Sequence, residues 1–324
     1  MIASIPVPPF SGIDFGFTEV RIYGVLIATA VLVAASWTRK RYQSFGGDGE
    51  LADRVTIWAV VLAFVGARGA YVLPRLGRFT DDPLGVFQVW EGGLALFGGL
   101  TVGLVVLVVL MRRWGGDFPA FMDGLAPALP LAQAIGRLGN YFNQELYGTP
   151  TDLPWGVVIE NPIRGEAPLT TFHPTFLYES LANLVLMGVI LRLQRTDRMK
   201  KGTLILVYAI GYGVIRFLLE LIRTDTTFRV LGLSRNAIVA AVFVVVGLAL
   251  LRQRQRRADL PVVGTAAVEL HDSTAEEDTD QDEPGEASAV FVGITEADQD
   301  HGGDGDQGSD AKRDPNEGGE AVTD

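Results

Sequence analysis

The chain has 324 residues, of which 48% are hydrophobic, and a formal net charge of -11. It contains no cysteine and three histidines, two of which (His271 and His301) lie near the C-terminus. Disulfides, thiolate metal centres and an internal cysteine nucleophile are therefore excluded, as is a histidine-rich metal site in the body of the protein.

The charge is unevenly spread. Residues 258–324 hold 20 of the 38 acidic residues but only Lys312 and Arg313 of the 27 basic ones, leaving 25 basic against 18 acidic in residues 1–257. Residues 1–257 read as one membrane domain. Residues 258–324, rich in Gly, Asp, Glu, Ser and Thr, have too little apolar surface to offset the entropy of ordering and read as an acidic disordered tail. The tail is either a solvated extension or an interaction segment.

Seven apolar segments follow one another at 18–37, 55–74, 94–111, 121–138, 175–191, 203–221 and 236–251, each close to the ~20 residues that cross a bilayer as a helix. The fold class is therefore all-α, a polytopic membrane protein with about seven transmembrane helices. No basic stretch precedes the first segment and no small-residue cleavage site follows it, so it reads as a retained helix. That segment carries Tyr23-Gly24, where an interfacial tyrosine is the plain reading. The second contains Gly66-Ala67-Arg68-Gly69-Ala70-Tyr71, whose small residues allow close helix contact. Arg68 there either binds a phosphate or pairs with a carboxylate such as Asp123 or Glu91. Trp90-Glu91-Gly92-Gly93-Leu94-Ala95-Leu96-Phe97-Gly98-Gly99 leads into the third segment; its two glycine pairs suit a re-entrant or tightly packed loop better than a linker. The fourth segment holds Pro127 and Pro130 and is expected to be kinked or broken.

At the end of the fourth segment stands Gly136-Arg137-Leu138-Gly139-Asn140-Tyr141-Phe142-Asn143-Gln144-Glu145-Leu146-Tyr147-Gly148. Ionisable groups at membrane depth are costly and usually mark a substrate path or a chemical site. Arg137 and Asn140 share a face if the helix continues. An arginine snorkelling to headgroups would be the plain alternative, but it leaves the two asparagines and Glu145 unexplained. The connection 139–174 is long, and Trp155-Gly156-Val157-Val158-Ile159 predicts a short strand pair in a small extramembrane cap. His173-Pro174 opens the fifth segment, followed by Tyr178 and Glu179. In the sixth, Tyr212, Arg216 and Glu220 form a polar stripe at i, i+4 and i+8. Arg216 and Glu220 can pair, as a purely structural bridge or as part of a site, and Arg223 adds a further positive charge.

Basic clusters (Arg39-Lys40-Arg41, Arg112-Arg113, Arg195 to Lys201, Arg252 to Arg257) recur at alternate connections. The positive-inside rule then puts the N-terminus outside and the C-terminus in the cytoplasm, with the polar cluster toward the outer face. No internal repeat is evident, which disfavours a transporter built from related halves. Guanidinium groups bind phosphate bidentately, and the anion available in a bilayer is a phospholipid headgroup. The residues alone thus indicate an enzyme acting on an anionic lipid. A non-catalytic phospholipid transporter or scramblase is the alternative; a seven-helix receptor fits less well.

The 136–148 segment resembles the signature of the bacterial phosphatidylglycerol–prolipoprotein diacylglyceryl transferase family. Tyr23-Gly24, the 66–71 run, Trp90-Glu91-Gly92-Gly93, Asp123, His173-Pro174 and the 211–223 helix share the resemblance, which covers about residues 15–255. It implies a cell-membrane transferase that moves the diacylglyceryl group of phosphatidylglycerol to the lipobox cysteine of a prolipoprotein, forming a thioether and releasing glycerol 1-phosphate. This is the first step of lipoprotein biosynthesis. It implies no cofactor, no metal and no nucleic-acid partner. By resemblance, Arg137 and Arg216 are catalytic, while Tyr23, Arg68, Asn140, Glu145, Tyr212 and Glu220 bind substrate. Many members carry a histidine, assigned as the thiol base, where this chain has Phe97. Either adjacent arginines favour the thiolate with no dedicated base, or Glu145 or His173 takes the proton. Arg235-Asn236 also departs from the Gly-Gln of many members.

Overall fold

The computed structural model describes residues 4–263, apart from 15, 17, 18, 81, 90, 91, 163, 164, 197, 223–228, 231 and 232. Trp90, Glu91, Arg223 and the acidic tail from residue 264 lie outside the described residues.

Among the described residues eight α-helices carry the fold: α1 (Ile22–Ser44), α2 (Gly49–Val72), α3 (Leu96–Arg113), α4 (Phe118–Leu125), α5 (Ala128–Phe142), α6 (Thr175–Gln194), α7 (Leu204–Ile222) and α8 (Arg235–Gln255). Six helical segments of the described residues are long and apolar enough to cross a membrane. A helix of 20 residues spans ~30 Å, the thickness of the hydrocarbon layer. Leu32, Val65, Val185 and Val245 are each more than 60% exposed. Such an apolar exterior suits lipid and not water.

The fourth apolar segment is broken, as its prolines predict. Helix α4 ends at Leu125 and α5 begins at Ala128, after Pro127. The two still run together along α1. A side chain at Gly124 would touch Thr38 and Tyr42, one at Gly136 would touch Ile27, and one at Gly139 would meet Tyr23 at 2.6 Å. Helices α4 and α5 therefore cover the length of α1 in the opposite direction.

The basic clusters meet at one end of the bundle. Arg41 donates to the Gly124 carbonyl at 3.1 Å and to Gln194 Oε1 at 2.6 Å. Lys201 pairs with Asp117. Asp123 is fully buried there, and its carboxylate accepts from the backbone N–H groups of Gly202 and Leu204, satisfying the free donors at the start of α7. Asp123 is therefore not a partner of Arg68, which corrects the pairing proposed from the sequence. After α8 the chain folds back onto the same end. Lys201 N–H donates to the Pro261 carbonyl, Val263 N–H donates to Met199, and Val263 is buried in the main core.

At the opposite end sits a small cap. Strands β3 (Val157–Ile159) and β4 (Thr170–Phe172) form an antiparallel pair, with Val157 opposite Phe172. Ile5 joins this pair by a parallel bridge to Val157. Tyr147, Val157, Ile159, Phe172 and Phe176 make a second core beneath it. Two further short antiparallel pairs, β1 (Gly12–Asp14) with β2 (Glu19–Arg21) and β5 (Arg229–Val230) with β6 (Leu233–Ser234), precede α1 and α8.

Helices α2 and α3 approach backbone to backbone. The Ala95 N–H donates to the Ala67 carbonyl at 2.9 Å, and Gly66 and Gly98 face each other. Gly92 and Gly93 adopt φ of 90° and 80°, and a side chain on Gly93 would collide with Arg68 and Tyr71. Gly93 is thus tightly packed against α2, as the glycine pairs predicted, although the flanking Phe97 is exposed.

Candidate active site

The signature motif begins on the last turns of α5 and continues into a turn. The Glu145 N–H bonds to the Asn140 carbonyl at 3.1 Å. Gln144 and Leu146, on either side of Glu145, have φ of 50° and 58°. Left-handed conformations in residues other than glycine cost of order 1–3 kcal/mol each and persist only where their surroundings impose them. The surroundings here are explicit. Thr175 Oγ1 donates to the Leu146 carbonyl, Gly148 N–H donates to the His173 carbonyl at 2.9 Å, and Gln144 Oε1 accepts from Glu160 N–H at 2.8 Å. The strained turn presents the Glu145 carboxylate to α5, where Oε1 accepts from Asn140 Nδ2 at 2.8 Å and from Asn143 Nδ2 at 3.1 Å. Asn140 Oδ1 in turn lies 3.5 Å from Arg137 Nη1. Tyr23 packs its ring against Gly139, within electrostatic reach of Glu145 and Arg137.

The second half of the cluster comes from α7 and α8. Arg216 Nη2 lies 2.8 Å from Glu220 Oε2, across one helical turn. Glu220 Oε1 accepts from Ser234 Oγ at 2.8 Å and from Asn236 Nδ2 at 3.3 Å. The departure at Asn236 thus becomes legible, since its amide anchors Glu220 from the start of α8.

Tyr212 joins the halves. Its hydroxyl lies in the field of both Arg137 and Arg216. It also lies 3.5 Å from Glu179 Oε1. Tyr23, Arg137, Asn140, Glu145, Tyr212, Arg216 and Glu220 therefore gather in one group drawn from α1, α5, the following turn and α7, with Ser234 and Asn236 holding Glu220 from the start of α8. The group occupies the bundle end away from the basic clusters.

One member was missed. Arg137 Nη2 lies 2.7 Å from Glu179 Oε1, so its carboxylate partner comes from α6 and not from its own motif. The available signal was a carboxylate on an apolar helix, which requires a partner.

Each arginine is backed by a more deeply buried carboxylate. The Arg137 and Arg216 side chains are 21% and 19% exposed, against 3% for Glu179 and 1% for Glu220. The carboxylates hold the guanidinium groups from behind and leave their remaining edges for a ligand. Among the described residues the α7 stripe holds the Arg216–Glu220 pair; Arg223, counted in the stripe from the sequence, lies outside them. Guanidinium donors that are directed by such pairing suit the binding of an anion.

Arg68 and His173 belong to other groups. Arg68 donates to the carbonyls of Val86, Gly92, Gly93, Gly85 and Gln88 at 2.7–3.3 Å, and its guanidinium lies over the rings of Tyr71 and Phe79. It organises the 83–93 loop. His173 Nδ1 lies 3.3 Å from the Tyr178 hydroxyl, which accepts from Trp155 Nε1 at 2.9 Å. The Tyr178 hydroxyl thus links Trp155 and His173 at the edge of the cap. Phe97, on the first turn of α3, is 73% exposed.

A multi-helix membrane bundle with paired arginines gathered at one end defines a membrane protein equipped to hold an anionic group. Residues 12–252 match the family described as prolipoprotein diacylglyceryl transferase. The chain belongs to that family. It is 38% identical over 271 residues to the phosphatidylglycerol–prolipoprotein diacylglyceryl transferase of Paenarthrobacter aurescens, covering 78% of this chain and 85% of the relative. It is 41% identical over 279 residues to that of Leifsonia xyli subsp. xyli, covering 80% and 83%. The counterpart in Frankia alni is 37% identical over 245 residues, covering 75% and 65%.

Proposed function

We propose that the protein transfers the diacylglyceryl group of phosphatidylglycerol to the lipobox cysteine thiol of a prolipoprotein. The observation that carries this reading is the pair of arginines each backed by a buried carboxylate, Arg137 by Glu179 and Arg216 by Glu220, with the Tyr212 hydroxyl beside Glu179. The substrate sulfur, as thiolate, attacks the terminal methylene of the diacylglyceryl unit. A carbon–sulfur bond forms, the carbon–oxygen bond to phosphate breaks, and the electron pair leaves with the phosphate oxygen. The thiol proton goes to solvent or to the released phosphate. A phosphodiester with one negative charge becomes a monoester approaching two, so donors aimed at that oxygen bind the transition state better than the substrate.

Arg137 and Arg216 are assigned to the phosphate. Asn140, Glu145 and Tyr23 shape the glycerol end of the headgroup, with Tyr212 and Glu220 holding the arginines; Arg68 shapes the loop that leads into α3. The basic end is assigned to the cytoplasm and the site to the outer face of the cell membrane, where the positive-inside rule would place them. Mass spectrometry of a lipobox-cysteine peptide incubated with purified protein and phosphatidylglycerol should show the diacylglyceryl mass gain together with released glycerol phosphate. Lipid movement without either product would identify a scramblase instead.

The proton acceptor is the open chemical point, because Phe97 cannot titrate. A cysteine thiol of pKa ≈ 8.5 is already a few per cent thiolate near neutrality, and guanidinium groups raise that fraction. Phe97→His is therefore expected to change the rate at pH 7 by less than about threefold. A tenfold or greater acceleration would show that a dedicated base was missing.

A further inference from the structure

The Arg137 carboxylate partner is fixed with more care than a simple counterion requires. Glu179 is 2% exposed and lies behind the guanidinium. One oxygen, Oε1, faces both Arg137 Nη2 at 2.7 Å and the Tyr212 hydroxyl at 3.5 Å. That oxygen therefore holds a group from α5 and a group from α7 in register. Its own helix is tied to α5 and to the turn that follows α5. Thr175, one turn earlier, bonds to the Leu146 carbonyl in the strained turn; Ser180 Oγ donates to the Ala134 carbonyl of α5 at 3.0 Å; and Asn183 Nδ2 donates to the Glu179 carbonyl at 2.9 Å.

We infer that Glu179 is a positioning residue for transfer: its buried charge orients Arg137 and Tyr212 toward the departing phosphate without touching the lipid. The inference rests on the transferase reading above. A guanidinium displaced by about 1 Å loses its aim at a developing charge, and misplacements of that size cost ~10²-fold in rate.

Two substitutions separate charge from shape. Glu179→Gln keeps the length of the side chain and removes the charge; Glu179→Asp keeps the charge on a shorter stem. In the peptide-transfer assay, with each variant purified as a monodisperse species that remains folded at the assay temperature, Glu179→Gln is expected to lose about 100-fold and Glu179→Asp to regain about tenfold of that loss. The double variant Glu179→Gln/Tyr212→Phe should lose less than the product of the two single losses, because both act through the same contact. Activity of Glu179→Gln within threefold of the unmodified protein would overturn the inference. So would a Glu179→Asp variant no better than Glu179→Gln, or losses that simply multiply. Absence of transfer by the unmodified protein would instead defeat the transferase reading.

Discussion

Replacing Arg216 or Arg137 by lysine should lower transfer by on the order of 10²-fold, and replacement by alanine by 10²–10³-fold or more, while the proteins still insert. Lysine retains the positive charge, so a role as a bare counterion predicts little change. The geometry argues otherwise. Each guanidinium is engaged from behind by a buried carboxylate, Arg137 by Glu179 and Arg216 by Glu220, and presents a second edge outward. A planar fork can do both at once, whereas an ammonium on a flexible stem serves one partner at a time. The alanine variants carry a structural cost as well. Removing one member of a buried ion pair leaves the other uncompensated, typically at about 3–5 kcal/mol. At Glu220 this cost is moderated, because Ser234 and Asn236 still donate to it. The lysine variants are therefore the more informative pair. Their product yield per folded molecule, measured by the mass gain of the lipobox peptide, should fall while their thermal midpoints stay near that of the unmodified protein. Undiminished transfer by either lysine variant would remove that arginine from the phosphate site.

The sequence disclosed local relations far better than distant ones. The Arg216–Glu220 pair could be read directly, because i,i+4 spacing on a helix sets the two side chains together whatever the tertiary structure. The break in the fourth span followed from Pro127 and Pro130, and the strand pair from the β-prone run before Glu160. The pairing of Arg137 with Glu179 was hidden. It depends on how α5 and α6 rotate against each other, and nothing local distinguishes Glu145 from Glu179 as the partner. For the same reason the partner of Arg68 stayed open between a phosphate and a carboxylate such as Asp123 or Glu91. A cation and a carboxylate on apolar helices invite pairing, yet Asp123 caps α7 at one end of the bundle. Arg68 is satisfied by the backbone carbonyls of Gly85, Val86, Gln88, Gly92 and Gly93. Carbonyl partners leave no trace in composition. Asn236 was noticed as a departure without a role; its role appeared only when α8 was seen to begin beside Glu220.

Gly98→Leu should be the most damaging single change away from the charged cluster. A Cβ added at Gly98 would lie 2.2 Å from the Ala70 side chain and 2.7 Å from the Gly66 carbonyl oxygen. The first contact is with a methyl group that has no rotamer to escape into; the second is with backbone. Helices α2 and α3 must therefore separate, and in a bilayer no hydrophobic effect pulls them back, since lipid tails are as apolar as the helix faces. Overpacking of this kind costs about 1–3 kcal/mol in ordinary cores and more where backbone is the obstacle. Separation would also disturb the hydrogen bond between Ala95 and Ala67 and, through it, the Gly92-Gly93 turn that holds Arg68. The expected result is a lower thermal midpoint in detergent together with loss of transfer, even though Gly98 belongs to no polar contact of the site. Gly69→Ala, on the same helix as Gly66, provides the control. A Cβ there meets nothing within 4 Å, and its substitution should stay within about 0.5 kcal/mol of the unmodified protein. Equal tolerance of Gly98→Leu and Gly69→Ala would mean that the α2–α3 contact is not what holds this side of the bundle in place.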